Sequence, residues 1–179
     1  MDSLFLRGWV FIVVGAVIIG IGGVLTTLGW TRLNESTQMR NLIYSVAREW
    51  EINNTILFKD PLFNSTDEKV IGSRMLNKRL KNSALNNVLT SGLFNSNIKK
   101  DRTFLRQVAD YEDIIKDFNS RLSVTDNFVL ATSDPEKIIE HRKNIVTSVG
   151  FKGFIDEHTR MKTILDTNYP WAKDATFLN

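Results

Sequence analysis

Apolar residues are distributed along this chain in two different ways. From Gly8 to Trp30 the sequence reads GWVFIVVGAVIIGIGGVLTTLGW, without a charged residue. A helix of that length spans roughly 34 Å, enough to cross a hydrocarbon layer of about 30 Å. The run has no polar face, so it does not read as an amphipathic surface helix. Trp9 and Trp30 stand at its two ends, where indoles favour the headgroup boundary. A cleavable signal peptide would have an apolar stretch of about 7–15 residues followed by small residues around a cleavage site. Here the stretch is longer and no such site follows, so the pattern predicts an uncut anchor over residues 1–33. Ala16, Gly20, Gly23 and Thr27 recur at spacings that place them on one face of the helix, and small residues there let membrane helices approach closely.

Beyond the anchor the apolar positions become periodic. Met39, Leu42, Ile43, Val46, Trp50 and Leu57 form one helical stripe, which predicts a helix from near Ser36 to Phe58 that stops before Pro61. Asn53 and Asn54 lie close to that stripe, and a buried amide there needs a partner. Ser65 and Glu68 fit a capping box, with Val70, Ile71, Met75, Leu76 and Leu80 continuing the helical period. A new start at Ser83 is followed by Leu85, Val88 and Leu89, with Gly92 placed as a left-handed stop and Leu93 and Phe94 folding back. Asp101 reads as the next N-cap, ahead of Phe104, Leu105, Val108, Tyr111, Ile115, Phe118 and Leu122. Asp134-Pro135-Glu136 carries a capping acid, a proline at the first helical position and an acid in the first turn. Ile138, Ile139, Ile145, Val146 and Val149 supply the apolar side of that helix, which Gly150 and Gly153 break or bend. Phe154, His158, Met161 and Leu165 share a face of a last helix that ends before Pro170. No segment alternates with period two. The expected fold is therefore all-α: an N-terminal transmembrane helix followed by a four- to five-helix bundle over residues 34–179.

Composition narrows the function without naming it. There is no cysteine, which excludes disulfides, thiolate catalysis and cysteine-ligated metals. The net charge of +3 comes from 23 basic and 20 acidic residues that are interspersed. Lys78-Arg79-Leu80-Lys81 is the densest basic cluster, and it reads as a solvated face rather than a nucleic-acid site. Arg7 precedes the apolar run, while Arg32, Arg40 and Arg48 follow it, so the positive-inside rule is close to a tie. The signal-anchor pattern leads to an extracytoplasmic soluble domain as the expected topology. Absence of cysteine fits the same side.

Candidate chemistry is sparse. His141 and His158 are too far apart for an i, i+4 metal pair, and neither has the glutamate three residues before it that di-metal bundles use. No phosphate loop or nucleophile elbow is present. No cofactor, metal or catalytic set is expected unless a cleft gathers several of Glu49, Glu51, Asp110, Asp113 and His158. Asn-x-Ser/Thr triplets begin at Asn34, Asn53 and Asn64 and would matter only in a eukaryotic secretory setting. The aromatic residues Tyr44, Trp50, Phe104, Tyr111, Phe118, Phe128, Phe151 and Phe154 fall mostly at core spacing. Trp171 follows Pro170 beyond the last helix, and is expected to clip the tail to the bundle or to meet a partner.

Two stretches, Glu49-Trp-Glu51-Ile-Asn53 on the first helix after the anchor and Ser91-Gly-Leu-Phe94 followed by Tyr111 and Phe118-Asn119, resemble a pattern in uncharacterised small bacterial membrane proteins. Those carry one N-terminal membrane helix and a helical domain, and the likeness covers about residues 40–125. It implies an anchored helical domain and supplies no reaction or ligand. Asn53 and Asn119 are expected to cap or cross-link helices through their amides. The function expected from all of this is a membrane-anchored interaction, scaffold or accessory subunit whose partners are the lipid bilayer and another protein or further copies of itself. The alternative is a self-assembling membrane sensor or a stress or defence effector.

Overall fold

The computed structural model describes residues 2–59, 79–132, 134–147 and 149–172, with most side chains described from residue 16 onward. Among these residues there are five α-helices and no strand: α1 (Asp2–Asn54), α2 (Ser83–Thr90), α3 (Lys99–Ala131), α4 (Pro135–Thr147) and α5 (Val149–Asn168). A π-helical turn, Thr55–Lys59, ends α1. The helix suggested by the Ser65–Glu68 capping box lies outside the described residues. Contacts divide the chain into two units, Met1–Arg40 and Asn41–Asn179.

Where the pattern predicts an anchor and a separate helix from near Ser36, α1 runs from Asp2 to Asn54. The reason is local: Thr31-Arg-Leu-Asn-Glu35 contains neither proline nor glycine, so nothing interrupts the ladder. In the first unit, α1 is long and apolar enough to cross a membrane, and none of its apolar window is buried within the chain. Ile19 and Leu25 are 77% and 64% exposed, whereas a soluble core helix would bury such residues. The Thr26, Thr27 and Thr31 hydroxyls donate to the carbonyls of Gly22, Gly23 and Thr27 at 2.8–2.9 Å. Each hydroxyl is thereby satisfied inside its own helix, which is what an apolar medium requires.

The second unit is built around α3, whose closest packing is on α5, with α2 and α4 at its sides and α4 also against α5. Phe104, Val108, Tyr111, Ile115, Phe118 and Leu122 are buried along one stripe of α3, as their spacing predicts. α3 starts two residues before Asp101, contrary to the N-cap expected there, because the Asp101 carboxylate turns back to accept the Asn95 N–H at 3.1 Å. Ile43, Val46, Trp50 and Leu57 bury the α1 stripe, and Phe154, Met161 and Leu165 that of α5. Asp134 caps α4 as expected, its Oδ1 accepting the Glu136 N–H at 3.1 Å. Gly153 lies inside α5 and does not end it.

Gly92, just past α2, has φ +66°, the left-handed conformation that closes a helix and that a Cβ disfavours. An added Cβ would meet nothing within 4 Å, so Gly92→Ala isolates the backbone strain. The expected result is a loss of about 1 kcal/mol in denaturant unfolding with the slope unchanged.

Candidate functional site

Two of the buried polar side chains of the second unit, Glu49 and Asn53, reach one short stretch, Arg79–Leu85, which α3 also holds from Asn119, Ser123 and Asp126. Residues 79–82 belong to no helix, and α2 begins at Ser83. Segments of this kind must satisfy their backbone groups through side chains or water. Here two helices do it. Asn53 on α1 accepts the Lys81 N–H at 2.7 Å and donates to the Lys81 carbonyl at 2.8 Å. Asn119 on α3 treats Leu80 in the same way, at 2.9 Å in both directions. Each amide therefore pairs with one residue's N–H and C=O as a neighbouring β-strand would. The two asparagines read consecutive residues, and the Leu80 side chain is buried between them at 3% exposure.

Glu49 stands one turn before Asn53 on α1, a spacing that puts both on one face. Its Oε2 accepts the Ser83 hydroxyl at 3.0 Å and the Ala84 N–H at 2.9 Å, and its Oε1 accepts the Leu85 N–H at 3.4 Å. The residue at the α2 N-cap, Asn82, makes no side-chain cap bond. Glu49 thus caps α2 from another helix, with its charge at the positive end of the α2 dipole. On α3, Ser123 and Asp126 follow Asn119 at helical spacing and accept from the Arg79 guanidinium. The clamp is Glu49 and Asn53 on one side, Asn119, Ser123 and Asp126 on the other.

A chain of hydrogen bonds of one polarity lies behind it. The Asn53 side chain bonds to the Tyr111 hydroxyl, which meets His158 Nδ1 at 2.6 Å. His158 Nε2 lies 3.3 Å from Asn54 Oδ1. These partners assign the proton to Nε2 and leave Nδ1 to accept from Tyr111. Trp50 stacks on the imidazole at 4.5 Å between centroids and donates its indole N–H to the His158 carbonyl at 2.9 Å. Burial pushes the His158 pKa down to about 4, so the ring is neutral at pH 7. Tyr111 is pushed well above the usual phenol range, chiefly by burial, with the Glu49 charge adding to the effect and the Asn53 bond opposing it.

Glu49 and His158 both adjoin Tyr111, while Glu51, Asp110 and Asp113 are exposed. Among the described residues no three acidic or histidine side chains stand where a metal ion fits. The polar atoms of the clamp hold the chain's own backbone, so its chemistry is positional. Asn53 and Asn119 do bond through their amides, but to the non-helical residues Lys81 and Leu80, rather than capping a helix or joining one helix to another. The strap they hold was not legible, because its partners lie 28 and 39 residues away in sequence. The signal available was the Glu49/Asn53 pair beside an apolar stripe.

Ala16, Gly20, Gly23 and Thr27 are all exposed on α1, as is Trp30 at 75%. The Trp9 side chain lies outside those described. Trp171 is half-buried and packs edge-on to Tyr44 at 4.9 Å, with Tyr169 at 6.0 Å. No family model, curated protein or solved structure matches this chain.

Proposed function

We propose that this protein is a membrane-anchored interaction subunit, in which the apolar part of α1 lies in a lipid bilayer and the helical unit is presented at its surface to a protein partner. The observation that carries this reading is the exposure of the whole described apolar run of α1, set against a helical unit in which the buried Glu49 and Asn53 hold the chain's own backbone. Burying that run in lipid removes an apolar surface that water would not tolerate. The helical unit is placed on the extracytoplasmic side, consistent with a cysteine-free chain. No catalytic step is assigned to it.

Purification from native membranes in mild detergent, with mass and co-purifying proteins measured together, tests the reading. A defined partner at fixed stoichiometry supports it. A monomer that binds nothing counts against it, and a homo-oligomer without partners favours the self-assembling sensor instead. Topology follows from Ser45→Cys, an exposed position in a chain without other cysteines. A membrane-impermeant maleimide is expected to label it in intact cells.

The Ala16–Gly20–Gly23–Thr27 face is proposed as the place where α1 packs against another membrane helix. A Cβ added at Gly20 or Gly23 meets nothing within 4 Å, so larger residues there leave the isolated chain undisturbed. Gly20→Leu and Gly23→Leu are expected to weaken association in membranes roughly tenfold. Unchanged association in both variants, measured by energy transfer in vesicles, would remove this face from the interface.

A further inference from the structure

Along α3 the exposed cations are neutralised by their own helix, except at its start. Every basic residue of α3 after Arg102 has a carboxylate four residues from it: Arg106 with Asp110, Lys116 with Glu112 and Arg121 with Asp117, at 3.9, 2.7 and 2.8 Å. The first turn differs. Lys99, Lys100 and Arg102 are exposed and pair with no carboxylate among the described residues. Asp101 between them is buried and turned to the Asn95 N–H, and Lys100 lies over the Tyr169 ring at 4.3 Å. Ile98, the residue before them, is 51% exposed. This turn has a definite place in the second unit. Phe104 connects to Tyr44 through Tyr169 and Trp171, successive rings standing 5.0, 6.0 and 4.9 Å apart. Two turns on, Tyr111 meets Asn53, which lies more than two turns beyond Tyr44. α3 therefore runs in the same sense as residues 41–54 of α1, and Ile98–Arg102 stand at the end of the unit where the chain enters at Asn41.

We infer that Ile98, Lys99, Lys100 and Arg102 form a contact surface for the headgroups of an anionic lipid bilayer. The chemistry is complementary: unpaired cations attract acidic lipid phosphates, and a half-exposed isoleucine beside them has an apolar layer to enter. Lysine and arginine are long enough to keep their charges at the phosphates while their stems lie against apolar surface. The paired cations along the rest of α3 gain little from such a surface, because it repels their own carboxylates. A soluble acidic partner would also answer the charges, but only a bilayer is kept near this end by the chain itself. Ten residues, 31–40, at most about 35 Å of chain, separate the apolar run from the unit. For that nearness the inference rests on the anchored reading. It adds a second, charge-dependent contact with lipid, so that the hold of the unit on the surface varies with lipid composition and salt.

The test uses the full-length chain in vesicles, with a fluorophore on Asn97→Cys, the single thiol, at an exposed position beside the patch. Lipids carrying a nitroxide at the headgroup quench it on contact. In phosphatidylcholine with roughly 30% phosphatidylglycerol, the ratio of quenched to unquenched label is expected to rise about fivefold over pure phosphatidylcholine, and to fall back in about 0.5 M salt. The same label on Leu130→Cys, 80% exposed at the far end of α3, should respond to neither. Lys99→Glu combined with Arg102→Glu should abolish the rise; acids in a first turn favour the helix, so this variant keeps its fold. Quenching at position 97 that ignores phosphatidylglycerol and the charge reversal overturns the contact. A patch that ignores the vesicles yet binds polyglutamate also overturns it, and gives the surface to an acidic protein. Flotation in pure phosphatidylcholine separates the two ideas. Chains that float but show no such rise overturn the contact alone, and chains that fail to float overturn the anchored reading. In the latter case co-flotation with the anionic vesicles, present in the native chain and lost on charge reversal, still decides the contact.

Discussion

Truncating Glu49 to alanine is expected to destabilise the helical unit by about 3 kcal/mol and to release the first turn of α2. α2 is only eight residues long, too short to persist without tertiary support. Its leading N–H groups at Ala84 and Leu85 are buried and have the Glu49 carboxylate as acceptor, as does the Ser83 hydroxyl. Alanine removes that acceptor and leaves the donors facing apolar side chains, where water reaches them poorly. Glu49→Gln keeps one acceptor oxygen and loses the charge, so its cost should be clearly smaller. Hydrogen exchange resolves the effect locally: amides 84–88 should exchange much faster in Glu49→Ala, while those in the middle of α3 follow only the global loss. Equal protection at 84–88 in the native chain and the variant would show that α2 is held by its apolar face alone.

The contrast between what the sequence displayed and what it hid follows from the range of the interactions. The stripes of α3 and α5 were legible because burial of one face leaves a period in every turn, from Phe104 to Leu122 and from Phe154 to Leu165. The stop at Gly92 and the cap at Asp134 were legible because both are set by neighbours within three residues. Asp101 has the composition of an N-cap but serves the preceding loop, since its carboxylate bonds to Asn95 rather than to the start of α3. A cap and a loop staple use the same donor and acceptor, so residue type alone does not separate them. The clamp is the extreme case. Asn53 announced that it needed a partner, yet the partner is the backbone of Lys81, and a backbone carries no signature in the sequence. The face at Ala16, Gly20, Gly23 and Thr27 was legible as a pattern, and α1 carries it exposed.

Acid should weaken the fold through His158, and the sign can be fixed. The ring is 2% exposed, its Nδ1 accepts from Tyr111, and its Nε2 proton goes to Asn54. Trp50, Phe58 and Phe154 surround it, and none of them can stabilise a second proton on Nδ1 as well as water does. The folded pKa is pushed down to about 4 from the ordinary 6.5. Between those values the unfolded chain binds a proton that the folded chain refuses, so stability rises with pH across this window. It is fully present above about pH 6.5, falls as the pH drops, and levels off below about 4, for a total near 3 kcal/mol. Carboxylates also titrate at the lower end, so the native chain must be compared with His158→Gln, which keeps an acceptor and a donor but has no such proton to take up. Denaturant unfolding at several pH values between 7 and 4 is expected to show the gap between the two chains narrowing by about that amount as the pH falls. A constant gap would mean that the imidazole takes up its proton without losing Tyr111, and that the buried chain from Lys81 to Asn54 tolerates charge.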